Sequence, residues 1–321
     1  MAGREFDIIE RYFSGLIPGD SEGIVQGPGD DCAILDIPDD RHLCVSTDTL
    51  IAGVHFPELT PAAAVAHRTL AANLSDLAAM GAKCFAFTLA LTLPNEDERW
   101  LQEFSSSLSD LVSRFHIPLI GGNLARGALS ITVTVLGTLP RGKGLKRSGA
   151  NADDDIYVSG SLGDAGGALQ LIGKGGIAPQ ALADRFYYPE PRLRLGEALL
   201  DLASAAVDIS DGLAADLGHV CRASGVGASI EIDAIPLSAA LVGQFDNDRA
   251  LELAVSSGDD YELCFTAPRS SRQEIERIAG TTATRVTRIG RVVAGSGVGF
   301  VDSAGKPRQF EIAGYEHFHE T

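Results

Sequence analysis

Long apolar runs are missing from this 321-residue chain. No stretch approaches the ~20 residues that a membrane-spanning helix needs, so a helical membrane protein is not expected. Aromatic residues are scarce, at 6% with one tryptophan, and positive charge is in deficit. The 26 Lys and Arg stand against 43 Asp and Glu, for a formal net charge of −17. Proteins that hold nucleic acid or an anionic membrane do so with patches of Lys and Arg, so neither partner is expected. The cysteines, Cys32, Cys44, Cys84, Cys221 and Cys264, are odd in number and form no Cys-x-x-Cys pair. Most stand among apolar neighbours and read as reduced packing residues. The first residues are charged from Arg4 onward and lack the apolar stretch of a secretion signal. A soluble, cytoplasmic protein is expected.

What is present is a chain able to build a large core, with 45% hydrophobic and 21% charged residues. Its length suits two domains of roughly 100–200 residues. The 36 glycines point to many tight turns and close backbone approaches. Residues 4–16 carry Phe6, Ile9, Tyr12, Phe13 and Leu16 at helical spacing. Residues 32–37 and 43–49 read as two strands joined by a turn at Asp39–Arg41. Thr60 and Pro61 form an N-cap and first-turn pair opening an alanine-rich helix that ends near Met80, with Gly81 closing it. A strand over 85–93, a helix over 96–115 and strands over 117–122 and 129–139 follow. The glycine-rich segment 140–155 turns from basic to acidic and marks the boundary between a domain of residues 1–140 and one of 141–321. Beyond it a strand at 155–160 precedes helices near 164–173, 178–186, 191–204 and 212–223, then a mixed tail. Strands and helices intermingle, so the class is α/β or α+β.

The chemistry is carried by aspartates in particular places. Asp76 is the only carboxylate between Leu59 and Asn95, and it falls in the last turns of a helix rich in Ala and Leu. A negative charge there opposes the helix dipole at a cost of roughly 0.3–1 kcal/mol, and apolar surroundings add to it. A bound cation offsets both; an exposed Asp bonding locally is the plainer alternative. Asp48 ends an apolar strand within Ser46-Thr47-Asp48-Thr49, a set of oxygen donors suited to Mg²⁺. Asp30 and Asp31 follow Gly27-Pro28-Gly29, where a hairpin would bring Asp31 towards Asp48, although Gly-Asp-Asp is also ordinary turn chemistry. Asp208 and Asp211 stand three apart before a helical pattern, as metal ligands or with Asp211 or Ser210 as a helix cap. Asp259-Asp260-Tyr261-Glu262 is a further acidic knot. Phosphate groups carry about −1.5 to −2 each, so an acidic site of this kind admits them only with cations.

The familiar nucleotide signatures fail. Residues 137–143 have P-loop spacing, but Gly144 stands where Ser or Thr is needed and Pro140 interrupts the loop. No Gly-x-Gly-x-x-Gly opens a helix after a strand. Lys143, Lys146 and Arg147 could meet phosphate, Arg147 with two oxygens at once, but the lysines read better as a solvated basic loop. His317 and His319 read as exposed terminal residues, whereas His55, close behind the Asp48 motif, is the better site candidate. There is no nucleophile elbow and no Cys/His pair for covalent catalysis.

Taken together and in order, GDDCAIL (29–35), STDTLIAGVHF (46–56), NLSDLAAMGA (73–82), LIGG (119–122), RSGA (147–150), DISDGLAADLGH (208–219), GDDYELCF (258–265) and GYEHF (314–318) resemble the thiamine-monophosphate kinases of the aminoimidazole-ribonucleotide-synthetase-like ATP-binding superfamily. The resemblance implies a two-domain fold, with an N-terminal α/β domain that dimerises and an α+β C-terminal domain, and ATP bound between them. It implies direct in-line transfer of the γ-phosphoryl group of ATP onto thiamine monophosphate, with Mg²⁺, in a homodimer. The ligands it implies for metal are Asp31, Ser46 or Thr47, Asp48, Asp76, Asp208 and Asp211. It places Arg147, Ser210 and the backbone of Gly121 and Gly122, with Asn123 beside them, at ATP. Arg147 and Asp211 are the implied catalytic residues. His55, Asp259 and Tyr315 would line the thiamine phosphate site. Two positions depart from the family pattern: Asn123 stands where Asp is usual, and Asp259 where Glu is usual. The alternatives are another ATP-using enzyme of the superfamily and a non-catalytic Mg-nucleotide-binding regulator.

Overall fold

The computed structural model describes residues 4–16, 21–28 and 32–310. These fall into two compact units, one within Met1–Leu77 and Ala82–Lys143, the other within Ala78–Gly81 and Gly144–Thr321. Asp31, Tyr315, His317 and His319 lie outside the described residues.

The first unit contains α1 (Arg4–Tyr12), β1 (Ile24–Gln26), β2 (Ile34–Leu35), β3 (Arg41–Ile51), α2 (Ala62–Met80), β4 (Lys83–Leu93), α3 (Glu98–Phe115), β5 (Leu119–Arg126) and β6 (Ser130–Pro140). Four strands form a sheet in the order β3-β6-β4-β5. β6 pairs antiparallel with β3 and β4, and β5 lies parallel to β4. Alternation sorts β6 cleanly: Ile131, Val133 and Val135 are buried, while Ser130, Thr132 and Thr134 face the other way. Leu77 of α2 covers the buried face, where it meets Gly137. Directly paired residues share a face, so Cys44, Ser46 and Asp48, opposite Gly137, Val135 and Val133, also face α2.

Two expectations are corrected here. The segment 32–37 does not make a hairpin with β3. Only Ile34–Leu35 is extended, and it pairs with β1, while β3 is matched along its whole length by β6. The chain after Leu35 cannot continue a ladder: Pro38 has no N–H to give, and the N–H of Asp36 is taken by Gly23 O at 2.8 Å. Nor does Thr60 cap α2. Its hydroxyl is buried without a partner, and the Pro61 carbonyl accepts the first helical bond, from Val65 N at 3.0 Å. α2 does end as expected, on Gly81 at φ +69°. α3 is capped by Asp97, which accepts from Arg99 N and Trp100 N, and buries Leu101, Phe104, Leu108 and Leu111.

The second unit contains β7 (Asp155–Ser159), α4 (Asp164–Gly173), α5 (Gln180–Tyr187), α6 (Leu193–Leu199), β8 (Ala205–Asp208), α7 (Leu213–Ser224), β9 (Gly227–Glu231), α8 (Ala239–Val242), α9 (Asn247–Ser256), β10 (Leu263–Ala267), α10 (Arg272–Thr281), β11 (Val286–Val293), β12 (Gly297–Val301) and β13 (Pro307–Arg308). Its seven-stranded sheet runs β13-β12-β9-β11-β7-β10-β8, antiparallel except between β9 and β12. On one face Ile156, Val158, Val207, Cys264 and Ile289 pack with Leu213, Leu217 and Val220 of α7. On the other, Tyr157 and Phe265 stack at 5.1 Å. Asp155, 1% exposed, accepts from Arg272 Nε at 2.6 Å and Nη2 at 2.8 Å and from Arg288 Nε at 3.0 Å. Those guanidiniums, Arg272 first, hold its carboxyl below the ordinary aspartate range despite burial. The five cysteines are all free thiols; Cys221 and Cys264 are buried, whereas Cys32 is exposed rather than packed. Among the described residues, no helix is long and apolar enough to cross a membrane.

Candidate active site

In the first unit, β3 and α2 bring together residues 30 positions apart: Ser46 Oγ donates to Asp76 Oδ2 at 2.5 Å. Two residues along β3, the N–H of Asp48 is held by Asn73 Oδ1 at 3.0 Å. Asn73 lies on the same helical face as Asp76, three residues earlier, and its amide donates to Thr69 O at 2.9 Å. Asp48 and Asp76 are both half-buried. The group is therefore a set of hydroxyl and carboxylate oxygens on a rigid strand–helix pair. Thr47 is not part of it. It points to the opposite face of β3 and bonds Thr134 Oγ1 at 2.9 Å. His55 sits in the turn after β3, where its Nδ1 accepts from Ile51 N at 3.0 Å. Gly121 and Gly122 lie in a strand, as expected, and β5 runs on through Asn123, which is opposite Ala90. A Cβ on Gly122 would lie 1.9 Å from Leu89 O, so only glycine fits there.

In the second unit, Asp208 ends β8, and Ser210, Asp211 and Gly212 lead into α7. Neither Ser210 nor Asp211 caps the helix; Gly212 does, at φ +111°. Asp216, buried at 2% exposure, folds back so that its Oδ2 accepts from Ser210 N at 3.1 Å, Asp211 N at 3.0 Å and Gly212 N at 3.1 Å. Burial pushes Asp216 up to about 7, and these N–H groups pull it the other way. The loop is closed on its other side by the acidic knot. Asp259 N donates to Ser210 O at 2.9 Å and Tyr261 N to Ile209 O at 2.8 Å. Asp259 and Tyr261 both adopt positive φ, +70° and +49°, conformations that cost non-glycine residues energy and tend to mark functional sites. Arg147 is exposed, and its carbonyl takes Ser224 Oγ at 3.0 Å. Burial first, then Arg222 and Arg147, hold His219 below its ordinary value, while Asp211 raises it. Asp208, Ser210, Asp211 and Asp259 are thus gathered around one loop.

The rest of the acidic knot is structural. Glu262, fully buried, accepts from Ser159 Oγ at 2.5 Å, Arg185 Nη2 at 2.5 Å and Arg192 Nε at 2.6 Å. Asp260 takes the N–H of Gly163 with both oxygens, and burial raises its pKa well above the ordinary value.

Sequence reasoning missed Asn73 and Asp216. Asn73 was findable from its i, i+3 spacing to Asp76. Asp216 was not: a capping box uses the third helical position, which is Ala215 here. A cavity of about 360 Å³ at the end of the first unit's sheet, bordered by Ala52, Glu58, Asn95, Trp100 and Leu129, contains none of the residues singled out from the sequence.

Among the described residues, no three His, Cys, Asp or Glu side chains come together as a metal cage. The oxygen-only donors Ser46, Asp48 and Asp76 instead suit Mg²⁺, which keeps water and phosphate oxygens in its octahedron and takes one or two carboxylates from the protein.

Residues 29–139 match the N-terminal domain, and residues 151–303 the C-terminal domain, of the AIR synthase related proteins. The chain belongs to this family. It is 45% identical to thiamine-monophosphate kinase of Salmonella typhimurium, over 99% of both chains. The crystal structure of thiamine-monophosphate kinase from Stenotrophomonas maltophilia K279a is 44% identical, with a TM-score of 0.84 over 87% of this chain and 91% of that one. AaThiL complexed with AMPPCP and TMP is 30% identical, with a TM-score of 0.78 over 90% of this chain and 91% of that one. Within the AIR synthase related proteins, the chain belongs with the thiamine-monophosphate kinases.

Proposed function

We propose that this chain transfers the γ-phosphoryl group of ATP directly to the phosphate of thiamine monophosphate, giving thiamine diphosphate and ADP. The observation that carries the reading is the pairing of Ser46 with Asp76 beside Asp48, an all-oxygen group in a chain whose likeness to a thiamine-monophosphate kinase runs over 99% of its length. Bound Mg²⁺ supplies neutralisation of phosphate charge. In the first unit Ser46, Asp48 and Asp76, with Asp31, are the residues that would hold such an ion, and in the second unit Asp208 and Asp211 are. The Thr47 side chain points to the other face of β3, so Thr47 could contribute only through its carbonyl oxygen.

The acceptor explains why no base stands out. A phosphate monoester has its second pKa near ~6 and is largely dianionic at neutral pH. The chain has no proton to remove, and its residues need only align two phosphates and offset their repulsion. Arg147 can chelate two phosphate oxygens. Gly121, Gly122 and Asn123 with Ser210 serve ATP, and His55, Asp259 and Tyr315 serve the thiamine phosphate, Tyr315 with an aromatic face for the cationic thiazolium.

A homodimer is part of this reading. The face of β3 turned away from α2 leaves Leu43 and Val45 at 43% and 59% exposure, beside the threonine pairs Thr47–Thr134 and Thr49–Thr132. An apolar and hydroxyl-bearing sheet face of this kind suits burial against its own copy. The cytoplasm, where ATP is available, is the proposed compartment. Asn123, uncharged where the family pattern has Asp, favours one second reading, a Mg-nucleotide-binding regulator.

ADP release from the purified chain, with thiamine monophosphate, with thiamine and with no acceptor, each with and without Mg²⁺, separates these readings. Release only with the monophosphate and Mg²⁺ is expected. Equal rates with all three acceptors would reject the substrate, and ATP binding without release would favour the regulator.

A further inference from the structure

Three successive N–H groups aimed at one point form the concavity with which phosphate-binding loops hold anions, most of all ahead of a helix N-terminus. The loop Ser210-Asp211-Gly212 before α7 has that form, and the chain fills it with its own carboxylate: Asp216 Oδ2 lies 3.1, 3.0 and 3.1 Å from the three nitrogens. The loop cannot slide off this anchor. Ser210 O is held by Asp259 N at 2.9 Å and Ile209 O by Tyr261 N at 2.8 Å. A Cβ at Gly258 would lie 1.9 Å from Ser210 O, and one at Gly212 would lie 2.9 Å from Ser256 C.

We propose that Asp216 is a positioning residue: by occupying the anion concavity of residues 210–212 it closes those three backbone N–H groups to direct phosphate contact and sets Asp211 to receive a cation beside Asp208. This rests on the Mg-nucleotide reading above. A phosphate and a buried carboxylate cannot share the three N–H groups, so no phosphate meets the backbone nitrogens of this loop directly. The loop is thereby the converse of a P-loop, in which backbone amides meet phosphate themselves.

The test is calorimetric titration of the full chain with ADP at rising Mg²⁺, for the wild type, Asp216→Asn and Asp216→Ala, together with amide hydrogen exchange at residues 210–212. Wild-type chain that binds no Mg-ADP would count against the nucleotide reading, not against Asp216. Asn keeps an oxygen acceptor, so its half-saturating Mg²⁺ should stay within about threefold, whereas Ala should raise it about 10–100-fold, the usual loss when a residue supporting a metal ligand is removed. The vacated concavity in Asp216→Ala should also bind inorganic phosphate without Mg²⁺. A folded Asp216→Ala chain with unchanged Mg²⁺ dependence would overturn the proposal. Should that variant not fold, the other measurements decide. Slow exchange of the three amides in wild type and Asp216→Asn, with the Mg²⁺ midpoint kept, supports the positioning role. Fast exchange in wild type, or loss of Mg²⁺ response in Asp216→Asn with the amides still protected, rejects it.

Discussion

The hydroxyl of Ser46 donates to Asp76 Oδ2 across 2.5 Å, fastening the middle of β3 to the last turns of α2. The carboxylate it holds sits at the helix end where the dipole disfavours negative charge. A charge kept in such a place costs the fold and is expected to serve the site. Asp76→Asn should therefore lower turnover by about 10²-fold or more while the melting temperature holds or rises. Ser46→Ala should cost about tenfold, because Asp76 loses its orienting bond. Paired kinetic and thermal-melting measurements check both. Near-normal turnover in Asp76→Asn would remove Asp76 from the site.

How far the sequence reached depended on the range of the interaction. α2, α3 and β4 are local in origin, and their periodicity and the closing Gly81 were readable directly, whereas the Asp97 cap emerged only with the structure. The pairing of β3 with β6 and not with residues 32–37 was not, because register over some 80 intervening residues leaves no local mark. The same division holds at the site. Asp48 and Asp76 stood out as carboxylates in apolar settings, whereas Asp216 looked like any polar helix residue until its backbone partners were seen. Thr47 shows a third case: adjacent residues of a strand face opposite ways, so the side chains of Ser46 and Thr47 leave β3 on opposite faces.

Glu262 ties β10 to Arg185, Arg192 and Ser159 in a buried cluster. Removing one member of a buried ion pair leaves the others uncompensated, at about 3–5 kcal/mol. Glu262→Ala should lower the unfolding free energy in urea by that amount. A loss below about 1 kcal/mol, the level of exposed pairs, would show that the guanidiniums are solvated instead.

Asp155 gives a pH dependence whose sign is fixed. Its folded carboxyl titrates below the unfolded one, held there chiefly by Arg272. On acidification the unfolded chain therefore takes up its proton first. The stability Asp155 contributes is complete above the unfolded range near pH ~4 and is lost as pH falls through the depressed folded value. Asp155→Asn should lower the melting temperature at pH 7, and the gap to wild type should narrow below about pH 4. A gap that is the same at pH 7 and pH 3 would mean that packing, not charge, is what the substitution removes.

Asn123 occupies an exposed position of β5 where the family pattern has a carboxylate. Asn123→Asp should lower the Mg²⁺ concentration for half-maximal ADP release by several-fold and leave the unfolding free energy within about 0.5 kcal/mol of wild type, as for an exposed substitution. An unchanged Mg²⁺ response would place Asn123 away from the metal.

Phosphorus NMR of the purified chain with Mg-ATP and thiamine monophosphate tests the central claim most directly. Coupled diphosphate resonances of thiamine diphosphate should grow in step with those of ADP as the monoester signal falls. Inorganic phosphate growing in their place, with the monoester untouched, would contradict it.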